Sequence, residues 1–119
     1  MHHRLRTLSA AALLVGALAT ACSSGGGGRE IEIVATEQAC TPATATAKPG
    51  EKLTLEVSNQ AKSDREVEGI EGTKLEEVLI PAGRVRKLNF TMPASGTAKI
   101  KCYIPGGPTT IIEITPGGA

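Results

Sequence analysis

Apolar and polar residues alternate with a period of two through most of the chain beyond Arg29, and no stretch there shows the 3.6-residue apolar spacing of a packed helix. Glu30-Ile31-Glu32-Ile33-Val34 puts Ile31 and Ile33 on one face. Lys52 to Ser58 is the cleanest alternation, with Leu53, Leu55 and Val57 inward. Lys87 to Met92 places Leu88, Phe90 and Met92 on one face, and Val85 falls out of phase with them, which predicts a bulge or bend upstream. Ala98, Ile100 and Cys102 share a face, so Cys102 is expected to point inward, and Thr109 to Thr115 forms the last strand. Arg65 to Ile70 and Thr73 to Ile80 are weaker strands split by Glu71-Gly72, with a helical turn around Glu76-Glu77 as the alternative for the second. Breaks fall at Lys48-Pro49-Gly50-Glu51, at the polar run Asn59 to Asp64, at Pro81-Ala82-Gly83, at Ser95-Gly96 and at Pro105-Gly106-Gly107-Pro108, while Pro116 to Ala119 is expected to fray. Seven or eight strands over residues 30–119 predict an all-β domain, a two-sheet Greek-key sandwich.

The first residues read as an address. His2, His3, Arg4 and Arg6 form a basic start, an apolar run from Ala10 to Leu18 follows, and small residues precede Cys22. The run is shorter than the roughly 20 apolar residues that span a bilayer. Residues 1–21 therefore read as a secretory signal peptide. Leu18-Ala19-Thr20-Ala21-Cys22 resembles a bacterial lipobox, which makes Cys22 the lipidated first residue of the mature chain, with palmitate among the expected acyl groups. Ser23-Ser24 and the four glycines after them give residues 22–29 the composition of a flexible tether. The expected location is extracytoplasmic, on a membrane held through the lipid.

Processing at Cys22 changes the available chemistry. Loss of Arg4 and Arg6 from the 13 basic residues leaves 11 against 12 acidic ones, and both histidines are lost with them. A mature chain without histidine excludes a Ser-His-Asp triad, a Cys-His nucleophile and His-ligated haem, zinc or blue copper. The chain also lacks a phosphate-binding glycine loop and a nucleophile motif, so no enzymatic activity is expected. Near-zero net charge and a total of one Tyr and one Phe exclude the basic, aromatic surface of a nucleic-acid binder.

Two features carry candidate chemistry. Cys40 and Cys102 are the thiols of the mature domain. In an exported protein such a pair bridges, or it binds a soft metal as two thiolates. A bridge would close a loop of about 60 residues, worth about 4 kcal/mol in the chain-entropy model. It would also brace a core poor in aromatics. The second feature is acidic: Glu66 and Glu68 share one strand face, followed by Glu71, Glu76 and Glu77. These carboxylates form a solvated face, or they supply hard oxygen ligands to a cation such as Fe³⁺ or Ca²⁺.

Ala39-Cys40-Thr41-Pro42, the turn Lys48-Pro49-Gly50-Glu51, the strand Leu53 to Asn59, the pair Glu66 and Glu68, the turn Ile80-Pro81-Ala82-Gly83 and a strand ending at Cys102 together resemble the EfeO-type cupredoxin-like domain. The resemblance runs from about Glu30 to Thr115. It implies a cupredoxin-like β-sandwich and copper or iron binding, with Cys40, Glu66, Glu68 and Cys102 as the carried-over positions. It also implies metal-transport proteins as partners. Thiolates would favour Cu⁺, and the carboxylates with Glu76 or Glu77 would favour Fe³⁺. The chain departs from blue-copper proteins where Glu66 stands in place of a histidine. It departs again where Tyr103-Ile104-Pro105-Gly106-Gly107-Pro108 replaces the segment carrying the second histidine and the methionine. The larger helical domain of full EfeO proteins has no counterpart in this sequence.

Overall fold

A computed structural model describes residues 28–117. The signal-peptide reading of residues 1–21, the lipidation of Cys22, most of the tether and the last two residues lie outside the described residues. Nine strands are present among those described: β1 (Arg29–Ala35), β2 (Cys40–Thr41), β3 (Thr44–Ala47), β4 (Lys52–Asn59), β5 (Arg65–Glu71), β6 (Val78–Ile80), β7 (Val85–Thr91), β8 (Ala98–Tyr103) and β9 (Thr109–Pro116). One sheet has the order β2-β1-β4-β7 and the other β3-β9-β8-β5-β6. Both are mixed, because β1 runs parallel to β4 and β3 parallel to β9, while the remaining pairs are antiparallel. The count passes the expected seven or eight because β2 and β3 pair with sheet strands over runs too short to show alternation.

The core lies between the sheets where the period-two pattern placed it. Ile33, Leu53, Leu55, Val57, Ile100 and Ile114 are fully buried, and Phe90 is the one aromatic side chain of the core. Strand β8 alternates without exception, so Ala98, Ile100 and Cys102 face in and Lys99, Lys101 and Tyr103 face out. Opposite β8, Val67 pairs with Cys102 and Glu66 with Tyr103.

Two local expectations are corrected. No bulge accompanies Val85: β4 and β7 stay in continuous register from Lys52 opposite Thr91 to Ser58 opposite Val85, and Val85 simply points outward. The register shift occurs instead in β5, between Gly69 and Glu71. The segment read as a strand from Thr73 is irregular as far as Glu77, with no helical turn, and only Val78–Ile80 pairs. Its course is set at Gly69 and Gly72. The Gly69 amide donates to the Leu75 carbonyl at 2.8 Å, and Gly72 has φ +67° with the Thr97 carbonyl 2.5 Å from where a Cβ would stand.

At one pole the turns are tied by Asn59, which is 1% exposed. Its amide nitrogen donates to the Ser63 and Ile80 carbonyls at 3.0 and 2.9 Å, and its oxygen accepts from the Ala61 amide at 3.1 Å. This residue joins the end of β4, the 60–64 loop and the end of β6. The same pole holds the two cysteines.

Candidate functional site

Cys40 leaves the first sheet and Cys102 the second, and their sulfurs are bonded, with a Cα–Cα distance of 6.4 Å and a sequence separation of 62. The bridge reading of the pair is therefore the one found, and it places the cystine across the sandwich. Both residues are fully buried. The amide of Cys40 donates to the Thr110 hydroxyl at 2.9 Å, which holds β2 against the start of β9.

The side chain that reaches this cystine from β5 is Arg65. Sequence reasoning did not single it out, although the signal was there: Arg65 stands two residues before Val67, on the inward phase, while Glu66 and Glu68 take the outward one. Arg65 is completely buried. Its Nη1 donates to the Cys40 Sγ at 3.3 Å and its Nη2 to the Thr36 carbonyl, while its Nε has no partner among the described residues. Loss of hydration pushes its pKa down, and the carboxylate of Glu37 opposes that shift only in part.

Glu66 and Glu68 face away from the cystine, on the outer surface of the second sheet. The four residues carried over as metal ligands are thus divided by the sheet: the cysteines lie inside and bonded, the glutamates outside. Glu66 is joined not to Glu68 but to Tyr103, whose hydroxyl Glu77 also approaches. The Tyr103 hydroxyl lies 2.6 Å from Glu66 Oε2 and 2.7 Å from Glu77 Oε2, and the Lys101 ammonium sits 4.0 Å from the centre of the Tyr103 ring. Two carboxylates beside one phenol push its pKa strongly up, Glu66 having the larger effect. Glu76 lines a separate cavity of about 730 Å³ with Leu75, Phe90 and Pro93, between the 72–76 segment and β7. Among the described residues no three His, Cys, Asp or Glu side chains are grouped to hold a metal ion.

These residues do not fit a blue-copper centre. Residues 28–117 contain no histidine, and both thiols are spent in a disulfide, whereas the ligand form is the thiolate. Met92, at the far end of β7 from the cystine pole, is packed into the core.

A family model described as a cupredoxin-like domain matches residues 9–112. Among solved structures, the chain is similar to a copper nitrite reductase from Nitrosomonas europaea, at 16% identity and a TM-score of 0.65. That alignment covers 84% of this chain and 53% of the reductase, so the chain spans about half the reductase's length. Auracyanin B matches at 16% identity and a TM-score of 0.62, covering 78% of this chain and 93% of its own. An auracyanin from Roseiflexus castenholzii matches at 20% identity and a TM-score of 0.56, covering 78% of this chain and all of its own. No curated protein sequence matches the chain. At these identities the structural likenesses establish the sandwich and nothing about the ligand.

Proposed function

The chain belongs to the cupredoxin-like domain family, and we propose that it is an exported, lipid-anchored contact module that works beside copper- or iron-handling proteins without a resident blue-copper ion of its own. The carrying observation is the cystine: Cys102, one of the two thiols that could serve a soft metal as a thiolate ligand, is bonded to Cys40, whose sulfur Arg65 covers. A disulfide of this kind persists outside the cytoplasm, which agrees with the signal peptide read over residues 1–21. The tether read from Cys22 up to the start of β1 would let the sandwich reach a membrane partner while Cys22 holds the lipid. The role is binding rather than catalysis.

Two measurements test this. Full-length protein expressed in a bacterial envelope should enter the detergent phase and take up labelled palmitate, and Cys22→Ala should lose both; equal retention of the variant removes the anchor. The oxidised protein should bind Cu²⁺ no tighter than about 10 μM, roughly −7 kcal/mol. Stoichiometric Cu²⁺ with an intense visible thiolate band would overturn the contact-module reading.

A second reading rests on the outer face. Glu66, Glu77 and the Tyr103 hydroxyl present three oxygens together, hard donors of the kind that bind Fe³⁺. On this reading the module carries iron itself, with Glu68 alongside. Titration with Fe³⁺ should then give one site that Glu66→Ala weakens at least tenfold.

A further inference from the structure

A guanidinium buried without a carboxylate partner is an unusual arrangement, because an unpaired charge removed from water is costly. Arg65 reaches only a carbonyl and a cystine sulfur, the latter a weak acceptor, and its Nε reaches nothing among the described residues. The charged groups on neighbouring segments do not pair with it. The Glu37 carboxylate accepts from the Lys62 amide and the Asp64 carboxylate accepts from the Ala82 amide. Glu66 faces the opposite side of the sheet. The oxidised cystine thus leaves a cation aimed at Cys40 with too little negative charge near it. One chemical event would supply that charge at the right atom, namely cleavage of the S–S bond with Cys40 as the departing thiolate.

We propose that Cys40–Cys102 is a thiol-exchangeable bond, with Cys102 the sulfur attacked, Cys40 the sulfur expelled, Arg65 the group that holds the Cys40 thiolate, and a dithiol as the reaction partner. One thiolate of the dithiol bonds to Cys102 Sγ, and the electron pair of the Cys40–Cys102 bond leaves on Cys40. The second thiol of the partner then loses its proton and attacks the mixed disulfide. That releases Cys102, which takes up a proton, and closes the partner's own disulfide. The partner gives up two electrons and two protons. The cystine gains two electrons, one proton goes to Cys102 and the other to solvent while Cys40 stays ionised.

Arg65 covers the Cys40 side, while Cys102 lies two residues from the turn that carries Gly106 and Gly107. Both sulfurs are buried, so exchange proceeds through local opening at this pole. Opening sets the rate; Arg65 sets which sulfur leaves and how far the equilibrium lies toward the dithiol. The inference goes beyond the contact-module reading and depends neither on the lipid nor on a partner's identity.

The test uses the full chain with Cys22→Ala, so that no third thiol contributes. With Cys102→Ala added, Cys40 is the remaining thiol beside Arg65; with Cys40→Ala added, it is Cys102. Thiolate absorbance at 240 nm followed against pH should rise at least one pH unit lower for Cys40, a tenfold difference in thiolate fraction. Coincident titrations would overturn the assignment. In equilibrium with dithiothreitol, Arg65→Met should need at least ten times the reduced-to-oxidised ratio of the parent to break the bond, and Arg65→Lys should recover part of the shift. An unchanged equilibrium in Arg65→Met, or no recovery with Lys, reduces Arg65 to a packing residue. If Arg65→Met does not fold, the two single-thiol variants still decide.

Discussion

Glu66 on β5 stands directly opposite Tyr103 on β8, and its carboxylate lies 2.6 Å from the tyrosine hydroxyl. The phenol has one proton to donate, and Glu77 approaches the same oxygen at 2.7 Å. The two carboxylates therefore compete for one hydrogen. Glu77 belongs to the irregular segment before β6, so the shared phenol is a second tie between that segment and the sheet, beside the bond from the Gly69 amide to the Leu75 carbonyl.

Loss of the phenolic proton would put three negative oxygens together, which is why the Tyr103 pKa is raised, by Glu66 first and Glu77 second. The chain has a single tyrosine, so phenolate absorbance near 295 nm reports this group alone. We expect ionisation to begin well above the ordinary tyrosine value of about 10. Glu66→Gln should lower the midpoint more than Glu77→Gln, and the double variant should bring it back toward that of a free tyrosine. A parent midpoint near 10 would contradict the geometry.

A second expectation concerns acid. Glu51 accepts from Arg29 Nε at 2.9 Å and from the Lys48 amide at 2.9 Å, and these bonds hold its pKa below the ordinary carboxylate range, Arg29 contributing most. The unfolded chain lacks them, so its Glu51 binds a proton more readily. The stability they confer is complete above the ordinary value, about 4.3, and is lost as pH falls through the lower folded value. Thermal melts should therefore show Glu51→Gln less stable than the parent at pH 6. The gap should close as pH drops below 4. A gap that persists unchanged into acid would mean that Glu51 acts without its charge.

The sandwich was legible in the sequence because period-two alternation reports burial directly: Leu53, Leu55 and Val57, like Ala98, Ile100 and Cys102, lie where their phase put them. The pairing of Cys40 with Cys102 followed from export and an even count, with the thiolate alternative open until the sulfurs were seen bonded. The candidate ligand set was less legible. Spacing shows that Glu66 and Glu68 share a face, but which face belongs to the core depends on the phase of Val67 and on β8 across from it. Arg65 escaped notice because a charged residue at a strand start reads as solvated; only packing of two sheets buries it. Val85 misled through its chemistry, an apolar side chain on the outward phase of a strand whose register never breaks.

The cystine should be a large single contributor to stability. It closes a 62-residue separation across two sheets, and restriction of the unfolded chain by such a loop is worth about 4 kcal/mol. Replacing both cysteines by Ala adds loss of packing around two fully buried positions. Urea unfolding of the double variant should show a loss of about 2–5 kcal/mol, the range seen for small secreted domains. The m-value should rise, since the uncrosslinked chain exposes more surface when unfolded. A loss under about 1 kcal/mol would mean that the sheets hold this pole without the bond.

The last expectation concerns Asn59, which reaches three segments with one side chain. Its two N–H groups go to the Ser63 and Ile80 carbonyls and its oxygen takes the Ala61 amide, all at or near the buried end of β4. Substitution by Ala removes the partners of backbone groups that water reaches poorly, and each buried polar group left unpaired costs about 1–3 kcal/mol. Aspartate keeps the shape and the bond from Ala61 but turns both donors into acceptors facing carbonyl oxygens, and it buries a charge. Asn59→Asp should therefore be at least as destabilising at pH 7 as Asn59→Ala, with each losing about 2–4 kcal/mol in urea. Lowering the pH protonates the aspartate and restores one donor. Asn59→Asp should then recover relative to Asn59→Ala as pH falls from 7 toward 4, whereas a purely steric role for Asn59 would leave the order of the two variants independent of pH.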